Sequence, residues 1–179
     1  MVQSDVGQVA SIEVRAWQTA YRGIIHPETL RGMSPENLVP RWNARVAESP
    51  SSSWVCANEG DILGYSVIGP CRDRDLERGF AGEVFALYVD PVIQGHGVGR
   101  MLLNRSFEEL EGMGFLWGVV WVLEANTSAR AFYQRCGLTD GGVLRRTRMG
   151  RQRLSVIRYE RPLNDLDPFG VASSKTKAT

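Results

Sequence analysis

The segment from Leu87 to Arg100 restricts the fold of this chain more than any other stretch. An apolar run over Glu83–Val89 is typical of a buried strand, and it ends at an Asp-Pro pair. A helix with a broad apolar face is predicted to follow over about Gly97–Met113. The turn between them carries alternate glycines at 95, 97 and 99. Because glycines let backbone N–H groups turn inward at the positive end of a helix dipole, this turn is typical of a phosphate or pyrophosphate site.

Two common phosphate-binding motifs do not fit this turn. A P-loop needs a Lys-Ser or Lys-Thr pair after its last glycine, whereas the two lysines of the chain are Lys175 and Lys177. The dinucleotide fingerprint has the spacing G-x-G-x-x-G within a β-α-β unit, and the spacing here is G-x-G-x-G. The same glycines would also permit close packing of the helix on the strand. The turn alone therefore leaves a phosphate ligand and a packing role open.

The rest of the chain alternates between helical and strand periodicity, which predicts one α/β (α+β) domain. Helical spacing is found over Val6–Trp17, continuing to Tyr21, over Pro35–Val46 and over Thr127–Cys136. Further strands are predicted over Trp54–Ala57, Ile62–Ile68, Phe115–Leu123, Val143–Arg148 and Leu154–Glu160, with Cys71–Gly82 as a loop. This order favours a single mixed sheet with helices on both faces. The 179 residues suit one domain, predicted over 1–163, followed by a flexible tail over 164–179.

Charge and composition exclude several classes of function. The chain has 21 basic and 20 acidic residues, and its net charge of +1 argues against a nucleic-acid or acidic-membrane partner. The longest apolar run, Gly114–Leu123, is far shorter than the roughly 20 residues of a membrane-spanning helix. Three cysteines without C-x-x-C spacing and two distant histidines predict neither disulfides nor a metal site. Since the start of the chain does not resemble a signal peptide, we expect a cytoplasmic protein.

Two motifs, taken in order along the chain, resemble those of a known enzyme family. Gln94–Gly99 matches the Q/R-x-x-G-x-G/A loop of the GNAT superfamily of N-acetyltransferases, after that family's usual V-D-P strand end. Leu123–Leu138 resembles the N-x-x-A-x-x-F-Y-x-x-x-G-F segment of the same family. The likeness extends over about Val6–Leu163. It implies a mostly antiparallel mixed sheet in which the central strand pair splays apart.

The resemblance implies transfer of an acetyl group from acetyl-CoA to the primary amine of a small molecule or peptide. The expected route is direct transfer in a ternary complex, and the alternative is a non-catalytic acyl-CoA-binding sensor. Because dimers are common among the proteins it resembles, a homodimer is a further expectation. The family usually begins with a strand before the first helix, whereas only Met1–Gln3 precede it here. That strand is then short or absent, or the start of the chain is late.

The resemblance also assigns coenzyme contacts residue by residue. Backbone groups of Leu87, Tyr88 and Val89 would pair with the pantetheine arm between the splayed strands. The glycine turn would hold the pyrophosphate through its backbone, with contacts at Gln94, Gly95, His96, Gly97, Val98, Gly99 and Arg100. Further contacts are expected from Asn126, Ala129 and Tyr133. Asn126 has a second interpretation, because its position also suits the N-cap of the helix that begins at Thr127.

Catalysis requires a neutral amine and a proton for the departing thiolate. The resemblance assigns Tyr133 as the general acid, although its spacing also fits a core aromatic residue. The Val89 N–H group is the candidate donor to the oxyanion. Some family members carry a glutamate where this chain has Trp121, so the candidate base is Glu83, for which a solvated strand-end carboxylate is the alternative.

Trp17 and Tyr21, together with Glu83, are the candidate acceptor-binding residues. The two aromatic residues are four positions apart on the first helix, which lines the acceptor pocket in the resembled family. Aromatic pairs at this spacing are more often core residues than ligand contacts, so a core role is the alternative. Strict alternation along the strand predicts four side chains on one face: Glu83, Phe85, Leu87 and Val89.

Arginines are frequent in the predicted C-terminal hairpin, where we expect a solvated basic surface. The members are Arg145, Arg146, Arg148, Arg151, Arg153 and Arg158. A contact with the coenzyme's 3′-phosphate or with an acidic partner is the alternative interpretation.

Overall fold

The computed structural model describes residues 1–49, 52–76 and 79–163, so the predicted tail over 164–179 lies outside the described residues. The helices are α1 (Val6–Ala20), α2 (Pro27–Arg31), α3 (Pro35–Glu48), α4 (Val98–Gly112) and α5 (Thr127–Arg135). The strands are β1 (Ser53–Asn58), β2 (Asp61–Pro70), β3 (Ala81–Val89), β4 (Trp117–Leu123), β5 (Thr139–Met149) and β6 (Gln152–Pro162). They form a six-stranded sheet in the order β1-β2-β3-β4-β6-β5. Among these strands only β3 and β4 pair in parallel, which confirms the mixed, mostly antiparallel sheet.

The two parallel strands at the centre of the sheet part before they end. Their ladder runs from the Ala81–Trp117 pair to the Val84–Val120 pair and stops there. β3 nevertheless stays paired with β2 as far as Val89, and β4 stays paired with β6 to its own last residue. The splayed central pair is therefore confirmed, and each strand is held open by its outer neighbour. We call the space between the parted ends the central gap.

Helices cover both faces of the sheet, as predicted. On one face α1 and α3 pack over β2, where Trp42 and Tyr65 belong to a buried cluster with the apolar side of α1. On the other face α4 and α5 pack over the centre, where Leu103, Phe107 and Tyr133 share a second buried cluster. These two sides are called the α1 face and the α4 face below.

A β-bulge changes the direction of the side chains along β3. Val67 pairs with Ala86 and Ile68 pairs with Val84, so Phe85 is the extra residue. Phe85 packs with the α1-face cluster, and Glu83 lies on the same side, whereas Leu87 packs against the α4-face cluster. The prediction of one shared face for Glu83, Phe85, Leu87 and Val89 is therefore wrong beyond Phe85. The bulge resets the alternation, and no sequence pattern indicated it.

The helix α2 was not predicted, and every strand except β4 begins earlier than predicted, by one to four residues. α2 has Pro27 at its first position, and the His26 side chain caps it by accepting from Glu28 N at 3.4 Å. Its five residues are too few to show helical periodicity. β3 begins at Ala81, inside the predicted loop, because Cys71 N donates to Ala81 O and continues the pairing with β2.

The described residues before α1 contain a short 3-10 helix over Gln3–Asp5 rather than a strand. The Met1 amino group donates to Ser53 O at 3.0 Å, which ties this end to the start of β1. Across the described ranges, no helix combines the length and the apolar character needed to traverse a bilayer.

Candidate active site

The turn between β3 and α4 presents a row of free backbone donors. Gly95 and Gly97 adopt φ values of 89° and 84°, which turn successive N–H groups to the same side. Within the described part of the chain, the N–H groups of residues 95–100 have no hydrogen-bond acceptor, and no side chain caps α4. These donors stand at the positive end of a 15-residue helix. The arrangement suits an anion with several oxygens, such as a diphosphate.

Gly99, the third glycine of the turn, has a packing role. A Cβ atom at Gly99 would lie 3.3 Å from the Phe132 ring and 3.6 Å from a Val89 methyl group, so this position serves close packing. A Cβ atom at Gly95 or Gly97 would meet nothing within 4 Å. The packing interpretation therefore applies to Gly99, and phosphate binding at Gly95 and Gly97 stays a prediction.

The polar side chains of the turn bond to carbonyl groups. Gln94 Nε2 donates to Val89 O at 3.3 Å, and this bond joins the turn to the end of β3. His96 is exposed, and its Nδ1 atom lies 3.0 Å from Ile93 O. Val98 is buried, and the Arg100 guanidinium donates to a carbonyl at the end of α5. The backbone groups of this turn, rather than its side chains, are therefore available for the predicted coenzyme contacts.

Asn126 and Tyr133 place two polar groups on α5 beside the gap. Asn126 Oδ1 accepts from Ala129 N at 3.1 Å and caps the helix, while its amide NH2 group has no partner among the described residues. Tyr133 is 8% exposed and likewise has no described hydrogen-bond partner. Burial raises the pKa of Tyr133, and Tyr21 raises it further. The two phenols are therefore electrostatic neighbours, although their helices lie on opposite faces.

The α1 face of the gap is lined by aromatic residues. Trp17 and Tyr21 form an edge-to-face pair with ring centroids 5.1 Å apart. The Tyr21 hydroxyl lies 3.2 Å from the Tyr88 hydroxyl, so the end of α1 is bonded to the parted segment of β3. Burial raises the pKa of Tyr21, and the hydrogen bond to Tyr88 opposes this shift. Both phenols consequently carry their protons at neutral pH.

Glu83 is a buried, ion-paired residue rather than a solvated strand end. It is 2% exposed, and its carboxylate accepts from Arg72 Nη2 at 3.1 Å and from the Arg72 backbone N at 3.4 Å. It lies opposite Val119 in the last part of the β3–β4 ladder, one pair before that ladder stops. The predicted base therefore lies at the closed end of the gap, on the α1 face.

Asp73 is a carboxylate on the α1 face that no sequence pattern indicated, and it joins side chains from several elements. Asp73, in the loop between β2 and β3, accepts from Trp121 Nε1 at 3.0 Å, from Arg145 at 2.7 Å and from Arg158 at 3.3 Å. Arg145 also stacks on Trp121, with 3.8 Å from its guanidinium carbon to the ring centroid. Arg158 is only 4% exposed, so the expectation of a solvated arginine surface is wrong for this residue. No local signal links positions so far apart in the chain.

Glu13 is a second buried carboxylate on this face, and the sequence did carry a signal for it. It interrupts the apolar stripe of α1, which indicates a buried charge with a partner. In the structure it accepts from Arg41 at 2.6 and 2.7 Å and from Trp42 Nε1 at 2.8 Å, and it thereby ties α1 to α3.

Two further features of the molecule bear on where a ligand would bind. Among the described residues, no group of three or more His, Cys, Asp or Glu side chains is placed to hold a metal ion. A shallow apolar cavity of about 200 Å³ is lined by Leu76, Phe80, Trp117, Val119 and Glu160. It lies beside the paired part of the β3–β4 ladder, where the hydrogen-bonded strands leave no space between them for a ligand. The central gap is therefore the better candidate for a ligand site.

Comparison with known proteins identifies the class of this fold and site. The model of the Acetyltransferase (GNAT) family matches residues 13–138. YuaI, an uncharacterized N-acetyltransferase of Bacillus subtilis (strain 168), is 33% identical over 131 residues, which are 73% of this chain and 72% of YuaI. The chain belongs to the GNAT acetyltransferase family, and the resemblance seen in its sequence is confirmed.

Solved structures share the fold at lower identity. The structure of yncA from Salmonella typhimurium with acetyl-CoA aligns with a TM-score of 0.67 at 22% identity, covering 92% of this chain and 91% of yncA. The ribosomal-protein-alanine N-acetyltransferase from Brucella melitensis aligns with a TM-score of 0.68 at 20% identity, covering 90% of this chain and 96% of that protein. These likenesses concern the fold.

Proposed function

We propose that this protein transfers an acetyl group from acetyl-CoA to a primary amine, directly and within a ternary complex. One observation carries the proposal: the β3–β4 ladder stops at the Val84–Val120 pair, beside a turn whose six N–H groups at residues 95–100 have no acceptor among the described residues. A diphosphate at the turn and a thin arm in the gap would satisfy both features. Family membership and the acetyl-CoA in the related yncA structure support the same ligand.

Each end of the coenzyme has a matching set of groups. The amides of residues 95–100 would hold the diphosphate, since they are accessible and lie at a helix N-terminus. Leu87, Tyr88 and Val89 border the gap and would pair with the amides of the arm as an added strand does. The free NH2 group of Asn126 and the backbone near Ala129 would contact the arm from α5.

The reaction needs few further groups. A neutral amine attacks the thioester carbonyl, so a C–N bond forms, the C–S bond breaks, and one proton leaves the amine. Tyr133 would give its proton to the departing thiolate, because its hydroxyl is uncommitted and its raised pKa keeps it protonated. The Val89 N–H group would stabilise the oxyanion. Glu83 would accept the amine proton through a water molecule, with Arg72 holding its carboxylate in place.

The proposal is tested by measuring thiol release from acetyl-CoA against a panel of primary amines, alongside calorimetric binding of CoA. We expect amine-dependent release and intersecting initial-rate lines, which indicate a ternary complex. Parallel lines would indicate a covalent acyl-enzyme and contradict direct transfer. Tight CoA binding without release for any amine would instead favour the non-catalytic sensor.

A further inference from the structure

We propose that the acceptor is a small primary amine on an aromatic or branched apolar body, without a second charged group. This inference rests on the proposed function and names the substrate class of the same site. It comes from one surface on the α1 face, called the apolar patch: the half-buried side chains of Trp17, Tyr21, Ile24, Met33, Trp121 and Leu154.

The apolar patch adjoins the central gap on both of its borders. Trp121 is the first residue of β4 beyond the last β3–β4 pair. Tyr21 is bonded through its hydroxyl to Tyr88, which lies in the parted segment of β3. An amine that reaches the gap from this face therefore has its body against aromatic and aliphatic side chains. Apolar residues left half-exposed in one place, beside a reaction centre, are the usual lining of a small-molecule site.

The charged groups that contact the patch are already satisfied by one another. Asp73 accepts three donors and is 4% exposed at its side chain, and Arg145 is committed to Asp73 and to the Trp121 ring. Glu83, at the closed end of the gap, is paired with Arg72. A second ammonium group or a carboxylate on the acceptor would have to displace one of these pairs. An apolar body requires no such displacement, and it buries ring surface instead.

Two ties across the patch favour a compact acceptor over an extended chain. The β5–β6 turn meets α2, since His26 N donates to Gln152 Oε1 at 2.6 Å. On the other side, Asp73 connects the β2–β3 loop to Arg145 of β5 and Arg158 of β6. Contacts between separate parts of the chain therefore border the patch on two sides. A long peptide that crossed either border would have to break one of these contacts.

The experiment compares acetylation of 2-phenylethylamine, 1,4-diaminobutane, phenylalanine and a peptide with an N-terminal phenylalanine. We expect kcat/KM for 2-phenylethylamine to exceed each of the others by about tenfold or more. Trp17→Leu removes aromatic surface without breaking a hydrogen bond, because the buried indole nitrogen of Trp17 has no partner among the described residues. It should raise KM for 2-phenylethylamine about tenfold and leave kcat within about threefold.

Trp54→Leu is the matched control. The indole nitrogen of Trp54, like that of Trp17, is buried without a partner among the described residues, but Trp54 lies on β1 away from the gap, so the KM of this variant should be unchanged. A preference for diaminobutane, phenylalanine or the peptide, or a Trp17→Leu enzyme with normal KM, overturns the substrate class and leaves acetyl transfer intact. Absence of release with every amine, despite CoA binding, overturns the proposed function and this inference with it.

Discussion

The two faces of the central gap are built in different ways. On the α4 face, the candidate coenzyme site consists of backbone groups from one continuous stretch, the end of β3 and the turn over residues 94–100. On the α1 face, the proposed acceptor side consists of side chains from α1, the β2–β3 loop, β4, β5 and β6, held by ion pairs such as Asp73 with Arg145.

This difference predicts that coenzyme binding tolerates changes of side chain, whereas acceptor binding does not. Backbone amides at a helix N-terminus bind phosphate whatever their side chains are, so the coenzyme side depends on conformation and on glycine. The acceptor side depends on which side chains meet, so single substitutions there can change the ligand while the sheet stays intact. The variants below test whether each effect is confined to its own side.

The largest effect is expected for Tyr133→Phe. Removal of the hydroxyl takes away the proposed proton donor, so kcat should fall on the order of 10³-fold while CoA affinity stays within about twofold. Thiol release at saturating substrates measures the change. Tyr65→Phe is the control, since the buried Tyr65 hydroxyl likewise has no hydrogen-bond partner within residues 1–49, 52–76 and 79–163, but it lies in the α1-face cluster. Equal losses in both variants would remove Tyr133 from the mechanism.

The assignment of Tyr133 as the general acid also predicts how kcat changes at alkaline pH. Because burial raises the pKa of Tyr133 above the ordinary phenol value, the acid form persists as the pH rises through neutrality. We therefore expect kcat to show no decline below about pH 10 that depends on this residue. A fall near pH 8 that is absent from Tyr133→Phe would contradict the raised pKa.

Gly97→Val should weaken CoA binding about hundredfold. Gly97 has a φ of 84°, a conformation that a β-branched residue strongly disfavours, so the turn would lose the alignment of its amides. Calorimetry measures the loss. Gly60→Val is a matched control, because Gly60 has a φ of 93° in the β1–β2 turn and meets the same backbone strain. If both variants lost CoA binding alike, the cause would be general instability.

Glu83→Gln should lower kcat by about thirtyfold and leave CoA binding unchanged. The amide keeps the shape of the side chain but cannot accept a proton, and it loses the ion pair with Arg72. Glu13→Gln separates these two causes, since Glu13 is also buried and paired with an exposed arginine, Arg41, yet it ties α1 to α3. If Glu13→Gln lowered kcat as much, the loss of a buried ion pair, and not the loss of a base, would explain the effect of Glu83→Gln.

The smallest effect is expected for Asn126→Asp. A carboxylate oxygen can still cap α5, but the NH2 group proposed to contact the coenzyme is gone, so the CoA Kd should rise about fivefold at unchanged thermal stability. Asn126→Ala should lose both functions and reduce the melting temperature as well. Unchanged affinity in Asn126→Asp would restrict this residue to capping.

Local patterns in the sequence were sufficient for most of the fold and for the coenzyme side. The β1–β2 hairpin follows from Glu59 and Gly60, which take positive φ values in its two-residue turn. The glycine turn and α4 follow from a continuous stretch whose periodicity and glycines are directly visible. Each of these features depends on residues within a few positions of one another, which is the range over which a sequence pattern is informative.

The acceptor side could not be predicted in the same way. The contact of Asp73 with Trp121 joins two residues 48 positions apart, and the bulge at Phe85 results from the pairing of two strands. Glu83 was predicted from its position at the start of a strand, but its burial beneath Arg72 depends on how the β2–β3 loop folds back. Such contacts are set by tertiary packing, which leaves no periodic trace in the sequence.

The extra residue in β3 has a consequence for how this strand tolerates changes in length. Deleting Phe85 would join Val84 to Ala86, and these residues already pair with the adjacent Ile68 and Val67, so the ladder would become regular without a change of register. Glu83 would keep its present side of the sheet. Deleting Leu87, which pairs with Ser66, would instead break the register and turn the side chains of one flank to the opposite face. A one-residue deletion should therefore be far less damaging at Phe85 than at Leu87. The bulge is a position at which this central strand can change its length while its charged side chain and the glycine turn keep their places.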